Sequence, residues 1–188
     1  MSNQKIIIGL SGSPAAGKDT VANFLENEKK FQHISLSKIL RTLMTQEGLE
    51  INLENLTNFG NSLIDRFGEG FLAKQAIEKF ENQNIVVSSI RQPGEIKQLR
   101  KMNNFNMIFV DADIKIRYNR LEQRKRIGDN VSFAEFQKIE NKQLSGSSGG
   151  MDLNQCKIMA DYVITNNDGI EVLEKEIEKI LSKINKGE

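Results

Sequence analysis

The sequence predicts an α/β protein in which one parallel sheet carries helices on both faces, built as one domain. Three observations predict it. Short continuous apolar runs alternate with amphipathic stretches along the chain, the pattern of a parallel sheet buried on both sides. A β-branched run near the start passes straight into a glycine-rich turn, a lysine and a helical pattern. The length, 188 residues, suits one domain with one sizeable core.

The first strand is expected at 5–10, Lys5 to Leu10. Gly12 to Thr20 follow, reading Gly-Ser-Pro-Ala-Ala-Gly-Lys-Asp-Thr. Gly12 and Gly17 let the backbone bend tightly and turn its N–H groups inward. Lys18 adds a mobile positive charge, and the helix expected over 18–30 adds the positive end of its dipole. Together these hold a phosphate chain. Gly12, Ser13, Ala15, Ala16, Gly17, Lys18, Asp19 and Thr20 are therefore the candidate binding residues for ATP as cofactor. The full pattern places Ser or Thr directly after the lysine, where a hydroxyl meets magnesium (Mg²⁺). Asp19 stands there instead, and the hydroxyl arrives one residue later at Thr20. Asp19 and Thr20 are the candidate metal residues, with Asp111 and Asp113 ranked below Asp19 as the carboxylate.

Further strands are expected at 31–35, 84–88, 105–111 and 160–165. Helices are expected at 37–48, 53–67, 70–82, 93–102, 113–127, 132–143 and 168–186. Ligands of such sheets sit beyond the carboxyl ends of the strands. Arg41 follows the second strand and Arg91 follows the third, and the guanidinium fork suits a phosphate bidentately. Strand 84–88 ends in Ser88-Ser89, where NTPases of this type present an Asp to organise Mg²⁺. The helix over 113–127 places Arg117, Arg120 and Arg124 on one face, with Ile114, Tyr118 and Leu121 beside them to anchor it. Guanidinium groups there suit the charge of a phosphoryl group in transfer. Ser145 to Gly150 reads Ser-Gly-Ser-Ser-Gly-Gly, a loop over the ligand face rather than a domain boundary. The 38 residues after it are expected to hold one strand and one helix. That last helix carries Ile170, Leu173, Ile177, Ile180, Leu181 and Ile184 at helical spacing, the stripe of a docked surface helix.

Composition narrows the function classes. There are 26 basic and 25 acidic residues, a net charge of +1, and no Trp, which gives no support for a nucleic-acid partner. No apolar run approaches the ~18 residues of a membrane span, and the short N-terminal apolar stretch does not read as a signal peptide. The lone Cys156 cannot form an internal disulfide, which fits the cytoplasm. The lone His33 excludes Cys/His metal sites by count and is read as structural rather than as a base.

Four segments resemble the P-loop small-molecule kinases, a family that includes nucleoside monophosphate kinases and dephospho-CoA kinase. Gly12 to Thr20 is similar to the Gly-Lys-Gly-Thr or Gly-Lys-Asp-Thr loops of adenylate and deoxynucleoside monophosphate kinases. His33 to Arg41 resembles the acceptor-side segment of adenylate kinases, in which the arginine holds the acceptor phosphate. Ile90-Arg-Gln-Pro-Gly-Glu-Ile96 resembles the arginine turn of deoxynucleotide-kinase-like proteins. Ala160 to Gly169 is similar to the segment of dephospho-CoA kinases that lies near the donor adenine. The departures are Asp19, where dephospho-CoA kinases carry Ser or Thr, and Ser88-Ser89, where relatives often carry Asp-Gly.

The resemblance implies a three-layer P-loop NTPase fold: a five-stranded parallel sheet of order 2-3-1-4-5, with a small helical lid over about 120–150. It implies Asn166 near the cofactor, Ser35, Arg41 and Arg91 on the substrate side, and Lys18, Arg120 and Arg124 as catalytic groups. The implied activity moves the γ-phosphoryl of ATP to a small nucleotide acceptor, a (deoxy)nucleoside monophosphate first and dephospho-CoA second. The alternative is an ATP-binding module with little or no kinase activity. The expected state is a cytoplasmic monomer or homodimer acting on a small molecule.

Overall fold

The computed structural model describes residues 5–124, 131–144 and 151–187. Five strands, β1 (Ile7–Gly12), β2 (Gln32–Ser35), β3 (Ile85–Ser88), β4 (Phe105–Asp111) and β5 (Tyr162–Thr165), form one sheet of order β2-β3-β1-β4-β5. All of its pairings are parallel. This is the expected fold and strand order. Every residue of β1 and β3 is buried, which is why Ile7–Leu10 and Ile85–Val87 read as continuous runs without a polar alternation.

Side chains alternate between the two faces of each strand, so the sheet splits its core in two. On one face Ile8, Leu10, Val86, Ile108 and Val110 meet Val21, Ala22 and Leu25 of α1 (Lys18–Asn27) and Leu173, Ile177 and Ile180 of the last helix (Ile170–Lys186). On the other, Ile85, Val87, Met107 and Phe109 pack against four further helices. These are α2 (Leu36–Gln46), α4 (Phe71–Ile77), α5 (Pro93–Leu99) and α8 (Leu153–Ile158). A smaller cluster, Met44, Phe59 and Leu63, joins α2 to α3 (Leu53–Phe67). α6 (Ile114–Arg124) and α7 (Phe133–Leu144) lie between β4 and α8 in the chain, and the last helix is α9.

The helices expected over 70–82 and 93–102 end earlier, at Ile77 and Leu99, and two further departures from the sequence expectation bear on the site. Gly12 ends β1 rather than lying in the turn, because it pairs with Val110 of β4. A Cβ there would sit 2.0 Å from the Val110 carbonyl oxygen, and its φ of +147° suits glycine alone, so close strand approach demands this glycine as much as the bend does. The stretch after residue 150 holds two helices, not one. α8 has only six residues, too few for a helical period to show in sequence, although Asp152 caps it by accepting from the Gln155 N–H at 2.9 Å. Lys125, Arg126 and the glycine-serine loop at 145–150 lie outside the described residues.

Candidate active site

The turn between β1 and α1 is braced from three sides. Ser13 donates its hydroxyl to Asp111 Oδ1 at 2.7 Å, at the end of β4. Asn166, past the end of β5, donates Nδ2 to the Ala16 carbonyl at 2.8 Å. Its amide lies so close to Gly17 that a Cβ there would be 2.4 Å from it. Arg117 of α6 donates to the Pro14 carbonyl at 3.4 Å. Ala15 takes a left-handed φ of +58°, a conformation that costs an alanine roughly 1–2 kcal/mol and that these braces hold in place. α1 begins at Lys18 after Gly17, which offers no side-chain cap to the N–H groups of the first turn. Thr20 and the exposed Asp19 sit in that first turn.

Lys18 bends back across the loop. Its Nζ donates to the carbonyls of Gly12 at 2.8 Å and Ser13 at 2.6 Å. Burial, and then the nearby cations Arg91, Arg117 and Arg124, lower its ammonium from 10.5 to about 7, against the opposing pull of Asp19. A lysine so placed gains a strong partner when a polyanion enters.

The three arginines of α6 point to different places. Arg117 is turned inward and 5% exposed, and spacing along one helix did not reveal that. Its Nε donates to the Ala112 carbonyl at 2.6 Å, and its guanidinium pairs with Glu140 of α7 at 2.5 Å, itself 4% exposed. Arg117 is thus a strut between the loop, β4 and α7. Arg120 donates Nη2 to the Asp168 carbonyl at 3.3 Å, which puts it beside the segment after β5. Its Nη1 is buried without a hydrogen-bond partner among the described residues. Arg124 is exposed at the end of α6.

Asp111 is committed elsewhere. Its Oδ2 accepts from Lys157 of α8 at 2.7 Å, and Oδ1 accepts from Ser13 and from the Ala112 N–H. Burial acts to raise its pKa, but the Lys157 and Ser13 hydrogen bonds outweigh it and hold the carboxyl below its ordinary range. Asp113 is exposed, with its N–H on Asn167 Oδ1. Among the described residues no group of three His, Cys, Asp or Glu is placed to hold a metal. Mg²⁺ bound with nucleotide phosphates needs no such cage, and a Thr hydroxyl and an Asp carboxylate are hard oxygen donors of the kind it takes.

Beside this loop opens a cavity of about 190 Å³, walled by α2, α3, the start of α4 and the turn after β3. Arg41 and Arg91 line it, among the apolar side chains Leu40, Leu56, Leu63, Ile64 and Phe71 and the polar Thr57, Asn61, Gln92 and Gln143. Ser35 is not in the lining. Its hydroxyl caps α2 by accepting from the Lys38 N–H at 3.4 Å, and Ser37 lines the cavity instead. The arginine turn is held from beneath by Glu95, which is 2% exposed and accepts from the N–H groups of Arg91 at 2.8 Å and Gln92 at 3.1 Å. Burial pushes its carboxyl up to about 7 despite those bonds. The sequence signal for Glu95 was the Gln92/Glu95 capping box, visible only as spacing. No motif marked Lys157 or the α3 wall of the cavity. Cys156 is fully buried, and burial pushes its thiol up to about 12, which makes it an inert core residue.

The AAA domain family matches residues 11–137, and the chain belongs to it. A UPF0200 protein of Sulfurisphaera tokodaii is 31% identical over 179 residues, covering 95% of this chain and 97% of its own length. A UPF0200 protein of Thermococcus kodakarensis is 28% identical over 187 residues, covering 95% and 98%. Among solved structures, shikimate kinase from Bacteroides thetaiotaomicron superposes with a TM-score of 0.59 at 15% identity, covering 94% of this chain and 98% of that one. Dephospho-CoA kinase from Campylobacter jejuni superposes with a TM-score of 0.53 at 17% identity, covering 97% and 98%. At such identities the likeness is one of fold: the chain has the fold of P-loop kinases.

Proposed function

We propose that this member of the AAA domain family is an ATP-dependent phosphotransferase, moving the γ-phosphoryl of ATP to a small acceptor that itself carries a phosphate. A (deoxy)nucleoside monophosphate is the acceptor best supported, and dephospho-CoA is second. The observation that carries the reading is the joining of two sites. An apolar cavity with two arginines opens close enough to the phosphate loop for Arg91 to depress the Lys18 ammonium.

ATP brings the transferable phosphoryl, and Mg²⁺ brings two positive charges to its oxygens. The chain's residues do the rest. The uncapped start of α1 and the loop N–H groups bind the phosphate chain. Lys18 leaves the Gly12 and Ser13 carbonyls to follow the β- and γ-phosphates. Asp19 and Thr20 hold the metal side. Arg120 and Arg124 neutralise the charge that spreads over the phosphoryl oxygens in transfer. Asn166 keeps the loop in its bound shape from behind. Arg41 and Arg91 grip the acceptor's phosphate, and the apolar wall takes its organic part. An acceptor attacking through a phosphate oxygen needs no general base. That suits a cavity whose carboxylate, Glu95, already accepts two backbone N–H groups. The lid reading of about 120–150 rests here on α7, whose Gln143 reaches the cavity.

The experiment is a coupled ADP-release assay over a panel of nucleoside and deoxynucleoside monophosphates and dephospho-CoA. Turnover with one of them above slow hydrolysis is the expected result, and none with any would overturn the reading. The second reading, a nucleotide-binding module without transfer, is favoured by Asp19 in the hydroxyl position and by the neutral Ser88 at the strand end.

Lys18 adds a signature independent of turnover. A bound triphosphate raises the lowered ammonium pKa again, so ATP binding at pH 8 takes up a proton. At pH 6 Lys18 is already charged and takes up none. Calorimetry in buffers of different ionisation enthalpy is expected to register most of one proton per ATP at pH 8 and close to zero at pH 6.

A further inference from the structure

One glycine in the cavity wall is not accounted for by the fold. Gly60 stands in the middle of α3, with helical backbone on both sides. A glycine there weakens a helix relative to alanine, because it has more freedom to lose on folding. Crowding or a left-handed turn would explain that cost, and neither applies. Among the described residues, a Cβ built on Gly60 meets only Leu40 Cδ2, at 3.9 Å, an ordinary van der Waals contact. Gly68 also lines the cavity, but it ends α3 with a φ of +82°, so the backbone accounts for it. Gly60 and Leu40 both line the cavity, so a methyl group added at Gly60 would stand in its wall. The bare backbone leaves a recess that this methyl would fill.

The side chains around the recess say what it suits. Leu56, Gly60, Leu63 and Ile64 fall at helical spacing on α3, and Asn61 falls beside them. Asn61 is partly exposed, and its amide has no hydrogen-bond partner among the described residues. An amide presents an acceptor and a donor side by side. An aliphatic chain in the cavity would strip water from that amide and give no hydrogen bond in return, which costs affinity. A flat ring with a donor and an acceptor on its edge fits both features. Its face lies against the bare backbone at Gly60, and its edge meets the amide of Asn61.

We propose that Gly60 and Asn61 set the acceptor specificity of the cavity, admitting a planar heterocyclic ring on the phosphorylated acceptor in preference to a bare sugar or an aliphatic chain. The proposal rests on the reading of this cavity as the seat of an acceptor held by Arg41 and Arg91.

The test is isothermal calorimetry on the full chain, with a non-hydrolysable ATP analogue and Mg²⁺ present to keep other nucleotides off the phosphate loop. AMP, GMP, CMP, UMP and dTMP are compared with ribose 5-phosphate, which carries a phosphate and a sugar but no ring base. The tightest of the monophosphates is expected to bind at least about tenfold more tightly than ribose 5-phosphate. Gly60→Ala is expected to lose about tenfold in affinity for that monophosphate, the size of a one-carbon misfit in a shaped pocket, and to keep its affinity for ribose 5-phosphate. The same variant is expected to melt about 2–4 °C higher than the wild type, because α3 itself gains. A purely structural glycine would move the melting temperature the other way. Asn61→Leu is expected to lose about tenfold for the same monophosphate, the fold-change carried by one hydrogen bond. The proposal is overturned, while the acceptor site stands, if the monophosphates bind no better than ribose 5-phosphate, if either folded variant keeps the wild-type affinity, or if Gly60→Ala melts lower. If the wild type binds neither the monophosphates nor ribose 5-phosphate, the acceptor site falls and takes this proposal with it.

Discussion

Lys18→Ala is expected to fold and to lose about 10³-fold in turnover, the size of effect that removal of one preorganised charge-stabilising donor produces. Among the described residues Lys18 donates to the carbonyls of Gly12 and Ser13, at the end of β1 and in the turn before α1. The pH dependence supports the expectation that the variant folds. A lysine whose pKa falls from 10.5 to about 7 on folding costs stability as pH drops from above 10.5 toward 7, because the folded state holds its proton less readily. Lys18→Ala removes that cost, so below pH 7 the variant should melt no lower than the wild type. The coupled ADP assay and a melting curve check the two halves together. A stable variant with wild-type turnover would remove Lys18 from the mechanism.

Arg117→Ala is expected to destabilise the protein by about 3–5 kcal/mol, the cost of leaving one member of a buried ion pair without its partner. For a chain of this length that corresponds to a fall in melting temperature of about 10 °C. Glu140 is 4% exposed and would lose the guanidinium it pairs with. The Ala112 and Pro14 carbonyls would lose their donor as well. Nucleotide affinity should fall too, since the Pro14 contact braces the loop directly. The paired change Arg117→Met with Glu140→Leu should recover much of the stability, because two apolar side chains of similar size cost nothing in lost hydration. It should not recover affinity, because Pro14 remains without its brace. Thermal melts and ATP titrations of the single and double variants separate the structural part from the loop-bracing part.

The sheet and the phosphate loop were legible in the sequence because both follow from local rules. Buried parallel strands carry continuous apolar runs such as Ile85-Val86-Val87, and a strand, glycine turn, lysine and helix are adjacent in the chain. Arg41 and Arg91 were legible as residues just past strand ends, where such sheets hold ligands, and both line the cavity. What escaped depends on partners far along the chain. Arg117 lies on the same helix as Arg120 and Arg124, and its meetings with the Pro14 carbonyl, 103 residues back, and with Glu140, 23 residues on, are not written in the helix spacing. Asn166 matched a segment thought to lie near an adenine, yet its side chain holds Ala16, 150 residues earlier. Ser35 matched an acceptor segment, yet its hydroxyl serves the start of α2. His33 read as structural because one histidine has no pattern. Its alignment with Glu26 and Ser88 arises from one helix and two strands.

The most direct test of the central claim is a crystal structure of the chain with a non-hydrolysable ATP analogue, Mg²⁺ and a nucleoside monophosphate. The account predicts the triphosphate in the Gly12–Thr20 turn, Lys18 Nζ moved from the Gly12 and Ser13 carbonyls onto phosphate oxygens, and the monophosphate between Arg41 and Arg91. A nucleotide bound elsewhere, with Lys18 still on those two carbonyls, would contradict it.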